Sequence, residues 1–420
     1  MTSPLARRLG RILWRLWIYK PTTEGKVLAG CLAVAGSVAM GSLEIPAYHL
    51  VCALGGLALA AFATGWLLRK KIEVEGGFPE TAVAGHPVAG AFTLTNRSRR
   101  TGYDLSVGVF GLPPSLKAQA APAVRALGPD ASASVSLPLR PLKRGLYPLP
   151  RVRAFSTFPL GLFRNTARQP AGSKTPRAGP LLVYPRFHPV ADIDVPVSAR
   201  YQPGGIALSS NVGESMEYIG NREYRPGDPT RHIDHRSWAR LAKPVIREFQ
   251  EEYYCRVALV LDTYVPGRKK PPPDGFPNLE AAVSLAASVA DALARGEYII
   301  DIFAAGPELY VFRAGRHTRT FDNVLEILAC VDACRQSPFK VVTPALVEEL
   351  ANISTVIGVF LDWDAERERL ARAAADAGCS LKALIVRDGP TSAPYAGHQA
   401  ASAMSQYRPD EVLGGGIETL

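Results

Sequence analysis

Two runs of apolar residues, Val27–Leu43 and Leu50–Leu68, contain no charged residue and lie only a few positions apart. Each is close to the ~20 residues that a bilayer core requires. The break between them, with Glu44, Ile45 and Pro46, predicts a tight turn and hence a transmembrane helical hairpin over 27–71. Small residues such as Gly30, Ala33, Gly36, Gly41, Gly55 and Gly56 would let the two helices pack closely. Beyond Ile72 the pattern switches to short alternating runs, AFTLTN, DLSVGVF, ASVSLPL and VRAFSTF, divided by Gly, Pro, Asn and Ser. That texture predicts a β-sandwich over 72–168. The stretch QPAGSKTPRAGP then predicts a linker, taken as 169–195.

After residue 195 a third texture begins. VALVLD, YIIDIFAA, ELYVF, STVIGVFLDWD and LKALIV read as strands. Leu279–Arg295, Asn323–Arg335 and Ala365–Ala377 read as helices between them. Alternation of this kind predicts a doubly wound, Rossmann-like parallel α/β domain over 196–390. Ligands of such sheets bind beyond the carboxyl ends of the strands, which singles out Asp262, Asp362 and Asp364. The Ala-, Gly- and Ser-rich residues 391–420 predict a flexible tail.

Charge adds orientation. The chain of 420 residues carries a formal net charge of +10. Arg7, Arg8, Arg11, Arg15, Lys20 and Lys26 precede the first apolar run, and Arg69, Lys70 and Lys71 follow the second. The positive-inside rule therefore places the N-terminus and everything after residue 71 in the cytoplasm. Trp14, Trp17 and Tyr19 make residues 1–26 a basic amphipathic segment suited to the membrane surface. Cys31 and Cys52 fall within the apolar runs, and Cys330 and Cys334 sit four apart in a helix-like stretch. None has the spacing of a zinc knuckle or a disulfide framework.

The most polar segment is NREYRPGDPTRHIDHRSWARL, residues 221–241. Between Glu214 and Glu252 seven Lys or Arg interleave with eight acids. A nucleic-acid face needs net positive potential, so nucleic acid is excluded as a partner of this window. Asp228 before Pro229 predicts a helix start, with the acid as N-cap and proline at N1. Such a helix would carry His232 and His235 on one face, beside Asp234. A metal-dependent hydrolase built on His232, Asp234 and His235 is one reading, but no HExxH, CxxC, nucleophile elbow or Walker loop accompanies them.

Several blocks in order carry a family resemblance. NREYRPGDPTRHIDHRSWARLAKPVIREFQEE followed by VALVLDT resembles the signature of the bacterial domain of unknown function 58 family, roughly REYxPGDDxRxIDWxxxAR and then a von Willebrand factor A-like strand ending in Asp-Thr-Ser-x-Ser. RGLYPLPRVRAFSTFPLGLFR (144–164) and LLVYPR resemble two further family blocks. The resemblance implies a membrane-anchored protein with a von Willebrand-A-like domain. It also implies partners, a MoxR-type AAA+ ATPase and a transglutaminase-like membrane protein, and a non-enzymatic interaction or assembly role on an envelope client. The signature residues Arg222, Glu223, Tyr224, Arg225, Pro226, Gly227, Asp228, Arg231, Ile233, Asp234 and Arg240 would then pin a loop against the strand of Asp262 and shape a partner-binding face. Departures from the pattern bear on cations. The two serines after the strand aspartate fall on Tyr264 and Pro266, the second acid of the GDD triplet is Pro229, the tryptophan of IDW is His235, and the acid of the second block is Thr157. Asp262 and Asp362 remain as a degenerate cation pair, too few for the near-octahedral oxygen shell of Mg²⁺, so no cofactor is expected. A cation-dependent adhesion module and a passive scaffold are the alternatives to the assembly role.

Overall fold

Thr22 marks the point where the chain enters its first helix. In the computed structural model, which describes residues 20–41, 45–170, 179–196, 218–226, 228, 230–249, 256–267, 271–296, 298–305, 309–313, 320–394 and 404–420, the Thr22 hydroxyl accepts the Gly25 amide at 3.0 Å. This is the side-chain cap that an N-terminal helix turn needs. Helix α1 (Thr23–Gly41) and helix α2 (Ile45–Leu67) pack against each other. Both are long and apolar enough to cross a membrane. Few of their side chains are covered by protein: Val34, Val38, Met40, Leu50, Leu59 and Leu67 all stand exposed. A core helix of a soluble domain would bury that face.

The chain divides into two compact units, residues 1–186 with 271–275, and the remainder. In the first unit the alternation read from sequence becomes eleven strands: β1 (Ile72–Gly77), β2 (Thr81–Val83), β3 (Val88–Asn96), β4 (Gly102–Val109), β5 (Leu116–Ala118), β6 (Val124–Leu127), β7 (Ser132–Pro141), β8 (Gly145–Pro148), β9 (Val152–Ser156), β10 (Asn165–Thr166) and β11 (Pro180–Tyr184). Two four-stranded antiparallel sheets, β1-β3-β7-β5 and β10-β9-β4-β6, share one hydrophobic core. Phe92, Leu94, Val135 and Leu137 come from the first, and Leu105, Val107, Val152 and Ala154 from the second. Along β3 and β7 every second residue points inward, as the pleat requires. The predicted linker is corrected here. Residues 180–184 form β11, paired with β2 and β8, because Leu181 and Val183 bury completely in a small core with Leu116 and Leu139.

Backbone contacts tie the helices to this unit. Pro21 bridges Phe163, the Thr22 amide donates to the Leu162 carbonyl at 3.0 Å, and the Arg168 amide donates to the Lys70 carbonyl at 2.8 Å. Gly25 permits the approach, since a Cβ there would lie 2.1 Å from the Leu162 oxygen.

The second unit opens with a two-stranded antiparallel ribbon, β12 (Tyr218–Glu223) and β13 (Val245–Phe249), joined through a short helix α3 (His235–Leu241). A six-stranded sheet follows: β14 (Arg256–Leu261), β15 (Ile299–Ala305), β16 (Leu309–Arg313), β17 (Thr355–Phe360), β18 (Ser380–Val386) and β19 (Met404–Tyr407). Its order is β16-β15-β14-β17-β18-β19, parallel throughout except for edge strand β16. Helices α4 (Pro277–Arg295), α5 (Thr320–Cys330) and α8 (Pro409–Gly414) lie on one face, and α6 (Phe339–Glu349) and α7 (Ala365–Asp376) on the other. With both faces covered, β14, β17 and β18 are almost wholly apolar and buried.

Three expectations are corrected in this unit. The tail 391–420 contains edge strand β19 and helix α8, with Met404, Pro409 and Val412 buried. The helix expected over Asn323–Arg335 ends at Cys330, so Cys334 lies outside it and pairs with Tyr264 instead. Residues 187–196, expected as linker, belong to this unit: Val190 is buried, and the Ala191 and Asp194 amides donate to the Glu418 and Leu420 carbonyls.

Candidate functional site

The strand order reverses between β14 and β17, where a parallel sheet opens a crevice beyond its carboxyl ends. Asp262 follows β14 and points into that crevice, fully buried. Its Oδ1 accepts the Tyr264 amide at 2.9 Å, and its Oδ2 accepts the Leu361 amide at 3.0 Å from the neighbouring strand end. The same Oδ2 receives Nη2 of Arg367 at 2.6 Å and its Nε at 3.0 Å. Arg367 stands in the first turn of α7, which Asp364 caps by accepting the Glu366 and Arg367 amides at 3.0 and 3.1 Å. Asp364 also accepts Nη1 of Arg367. The guanidinium lies 4.9 Å from the Phe339 ring centroid and 5.9 Å from that of Tyr264. Burial pushes the Asp262 carboxyl up, opposed by the Arg367 charge and the Tyr264 and Leu361 amides.

The crevice therefore carries its own cation. A buried carboxylate must be paired, and Arg367 does this with a planar fork. Asp362 is drawn into a separate network. It accepts the Ser392 hydroxyl at 2.6 Å, the Ser392 and Trp363 amides at 2.8 Å, and Nη1 of Arg387 at 2.5 Å. Partial burial is outweighed by the Ser392 and Trp363 bonds, and the carboxyl is held below its usual value. Among the described residues no group of three or more His, Cys, Asp or Glu is placed to hold a metal ion. Sequence reading found Asp262, Asp362 and Asp364 but missed Arg367. Its only local signal is an arginine one turn after the capping acid.

The signature segment makes a second polar cluster. Asp228 accepts Nη1 and Nη2 of Arg222 at 2.7 and 2.9 Å, and the Arg225 amide at 2.8 Å. This bidentate pair, with the Arg225 amide, lowers the Asp228 carboxyl to about 2. Asp234 is buried and accepts the Ser237 hydroxyl at 2.7 Å, Nδ2 of Asn221 at 3.1 Å and the Arg236 amide at 3.1 Å. The Ser237 hydroxyl foremost, with Asn221 and Arg247 adding to it, holds its carboxyl well below the usual carboxylate range.

The helix start expected at Asp228 is thus corrected: Asp228 closes a turn, and the N-cap is Asp234, opening α3 at His235. His232 lies before that cap in a 3₁₀ turn, so His232 and His235 do not share a helix face. The His232 ring accepts Nε of Arg231, while the His235 ring stacks on Trp238. Among the described residues His232, Asp234 and His235 form no metal-holding group, and Asp234 accepts from Ser237 and Asn221. The described contacts pin the segment against β13. The Tyr224 amide donates to the Pro244 carbonyl, the Asp234 amide to Val245, and Ile233 bridges Ile246. Glu223 pairs with Lys243 at the surface. The Arg225, Pro226, Arg231 and Arg240 side chains are exposed, and Gly227 and Pro229 lie outside the described residues. Sequence reading also missed Trp238 and Leu241, which stand 40% and 55% exposed on α3.

Comparison with known proteins adds the following. No curated protein matches the chain. Solved structures with some likeness include the CARDB domain of a Pyrococcus furiosus protein, at 12% identity and TM-score 0.17, covering 27% of this chain and 92% of that one. The secreted serine protease VesC of Vibrio cholerae is 12% identical with TM-score 0.16, over 31% of this chain and 26% of that one. The RO protein of Deinococcus radiodurans is 12% identical with TM-score 0.22, over 39% of this chain and 34% of that one. At such scores none of these likenesses bears on fold or activity. Residues 220–378, from the ribbon that brackets Asp234 to just past the helix that bears Arg367, match the family described as protein of unknown function DUF58.

Proposed function

We propose that this protein is a membrane-anchored, non-enzymatic interaction factor whose signature segment presents a docking face to another protein. The observation that carries the reading is the exposed side of α3. Trp238 and Leu241 stand in solvent there, flanked by the exposed Arg236 and Arg240. Trp and Arg are the residues most enriched at the energetic centres of interfaces. They sit on a base stiffened by the Asp234 and Asp228 networks, which keeps the face preformed. The basic rim favours a partner with an acidic surface.

The sheet order supports a von Willebrand-A-like reading of the second unit, since its strands in chain order run 3-2-1-4-5-6 with the third antiparallel. The two sheets of the first unit support a β-sandwich. Arg367 on Asp262 favours partner binding without a divalent cation over a cation-dependent adhesion module. The apolar helices, flanked by Lys20, Lys26, Arg69, Lys70 and Lys71, support two membrane spans with the soluble units on the cytoplasmic side. Family resemblance suggests a MoxR-type AAA+ ATPase as the partner, acting on an envelope client.

The test is a pull-down of tagged full-length protein in detergent, with and without ATP, read by mass spectrometry. A AAA+ ATPase recovered in a nucleotide-dependent way, and lost with Trp238→Ala, is the expected result. Recovery that ignores both nucleotide and Trp238→Ala overturns the docking assignment.

A further inference from the structure

A cavity of about 90 Å³ lies where the end of α2 meets the β-rich unit, lined by Gly65, Arg69, Lys70, Tyr103, Ser156 and Asn165 among others. Its lining contains two cations and no carboxylate. Nε of Arg69 is buried and makes no hydrogen bond among the described residues. A buried donor without an acceptor is costly, and a guanidinium can only donate. The group that would complete it is therefore an acceptor, and beside Lys70 an anionic one. The cavity holds several waters' worth of space, which suits a single phosphate group.

Position identifies the source of that phosphate. The apolar span Pro46–Leu67 is 22 residues long. At about 1.5 Å per residue it crosses a hydrocarbon layer of roughly 30 Å. Arg69 and Lys70 then emerge at the level of the lipid headgroups. Trp66, half exposed next to Gly65, is the amphipathic kind of ring found at that level. One wall of the cavity is the tilted pair Tyr103 and Phe158, with ring centroids 5.1 Å apart. It offers an apolar surface beside the cations, as a glycerol backbone would need. Gly65 keeps the site open: a Cβ there would lie 2.1 Å from Nδ2 of Asn165.

We infer that this cavity binds the phosphate of an anionic phospholipid, with Arg69 and Lys70 as its ligands. The inference rests on the membrane-spanning reading of α1 and α2. Basic pockets at the cytoplasmic edge of membrane helices are suited to such headgroups, and bidentate phosphate recognition is a strength of arginine.

The experiment uses full-length protein in a neutral detergent, titrated with short-chain phosphatidylglycerol and followed by melting temperature. Phosphatidylcholine of the same chain length and inorganic phosphate serve as comparisons. Phosphatidylglycerol should stabilise the protein saturably, while the other two leave it unchanged. Arg69→Gln should weaken binding about tenfold, the loss expected for one charge-assisted hydrogen bond. Lys70→Gln should act in the same direction, and Lys117→Gln, on β5, should not. If Arg69→Gln does not fold, Lys70→Gln decides alone. Equal affinity in the Arg69 and Lys70 variants, or equal stabilisation by phosphatidylcholine, overturns the site. Stabilisation by inorganic phosphate alone overturns the lipid as its source. An alkaline carbonate wash of membranes separates the premises. Release of the protein defeats the spanning reading, whereas retention with unaltered variants defeats only the headgroup site.

Discussion

Nη2 of Arg367 lies 2.6 Å from Oδ2 of Asp262, and the two side chains are 2% and 0% exposed. The pair joins α7 to the end of β14 across 105 residues of sequence. Removing Arg367 leaves Asp262 buried without a counter-charge, whereas removing Asp262 leaves Arg367 its bond to Asp364. Arg367→Met should therefore cost about 3–5 kcal/mol of stability, and Asp262→Leu less. The double variant should recover part of the loss. Denaturant unfolding of the full-length protein checks this, and a double variant no better than the worse single one would contradict it.

A second prediction concerns divalent cations. The guanidinium occupies the position in front of Asp262 that a bound ion would need, and Asp362 is committed to Ser392 and Arg387. Mg²⁺ or EDTA should leave the melting temperature unchanged, and calorimetric titration with Mg²⁺ should give no binding heat. A saturable heat would show that Arg367 yields its place.

Acid should loosen the signature segment. Both Asp228 and Asp234 have carboxyls depressed in the folded state, Asp228 from 3.8 to about 2. A group depressed on folding stabilises the native state fully above its unfolded value. That contribution fades as pH falls through the folded one. The melting temperature should accordingly drop as pH falls from about 4 toward 2. In Asp228→Asn that drop should be shallower, starting from a lower value at neutral pH. Parallel curves for the two proteins would remove Asp228 from the account.

Two arginines of the signature should behave differently. Arg222 makes the bidentate pair with Asp228, whereas Arg225 contributes its backbone amide while its side chain stands exposed. Arg225→Ala should change stability by no more than about 0.5 kcal/mol, as for an ordinary surface site. Arg222→Ala should lower the melting temperature clearly. Equal losses would mean that the Arg225 side chain carries structural weight.

Much of the architecture was legible because it is written in local pattern. The two uncharged apolar runs became α1 and α2, VALVLD became β14, and AFTLTN became β3 with Phe92 and Leu94 buried on one side. What stayed hidden depends on distant partners. Pro180–Tyr184 becomes a strand only because β2 and β8 are there to pair with it. Met404–Tyr407 likewise forms only against β18. Arg367 is indistinguishable in sequence from the surface arginines Arg369 and Arg372 of the same helix. Only the fold shows that it alone turns inward. The Asp228-Pro229 start was misread because two acids six apart both suit an N-cap, and the Ser237 hydroxyl and Asn221 amide favour the second.

The stitching of Pro21, Thr22, Lys20 and Lys70 to Phe163, Leu162, Arg164 and Arg168 makes the helical pair and the first β-rich unit a single lever. No slack stalk stands between them. A load applied to that unit would be delivered to the helices as tilt rather than absorbed by uncoiling chain, so mechanical work done on one side of the joint is felt on the other.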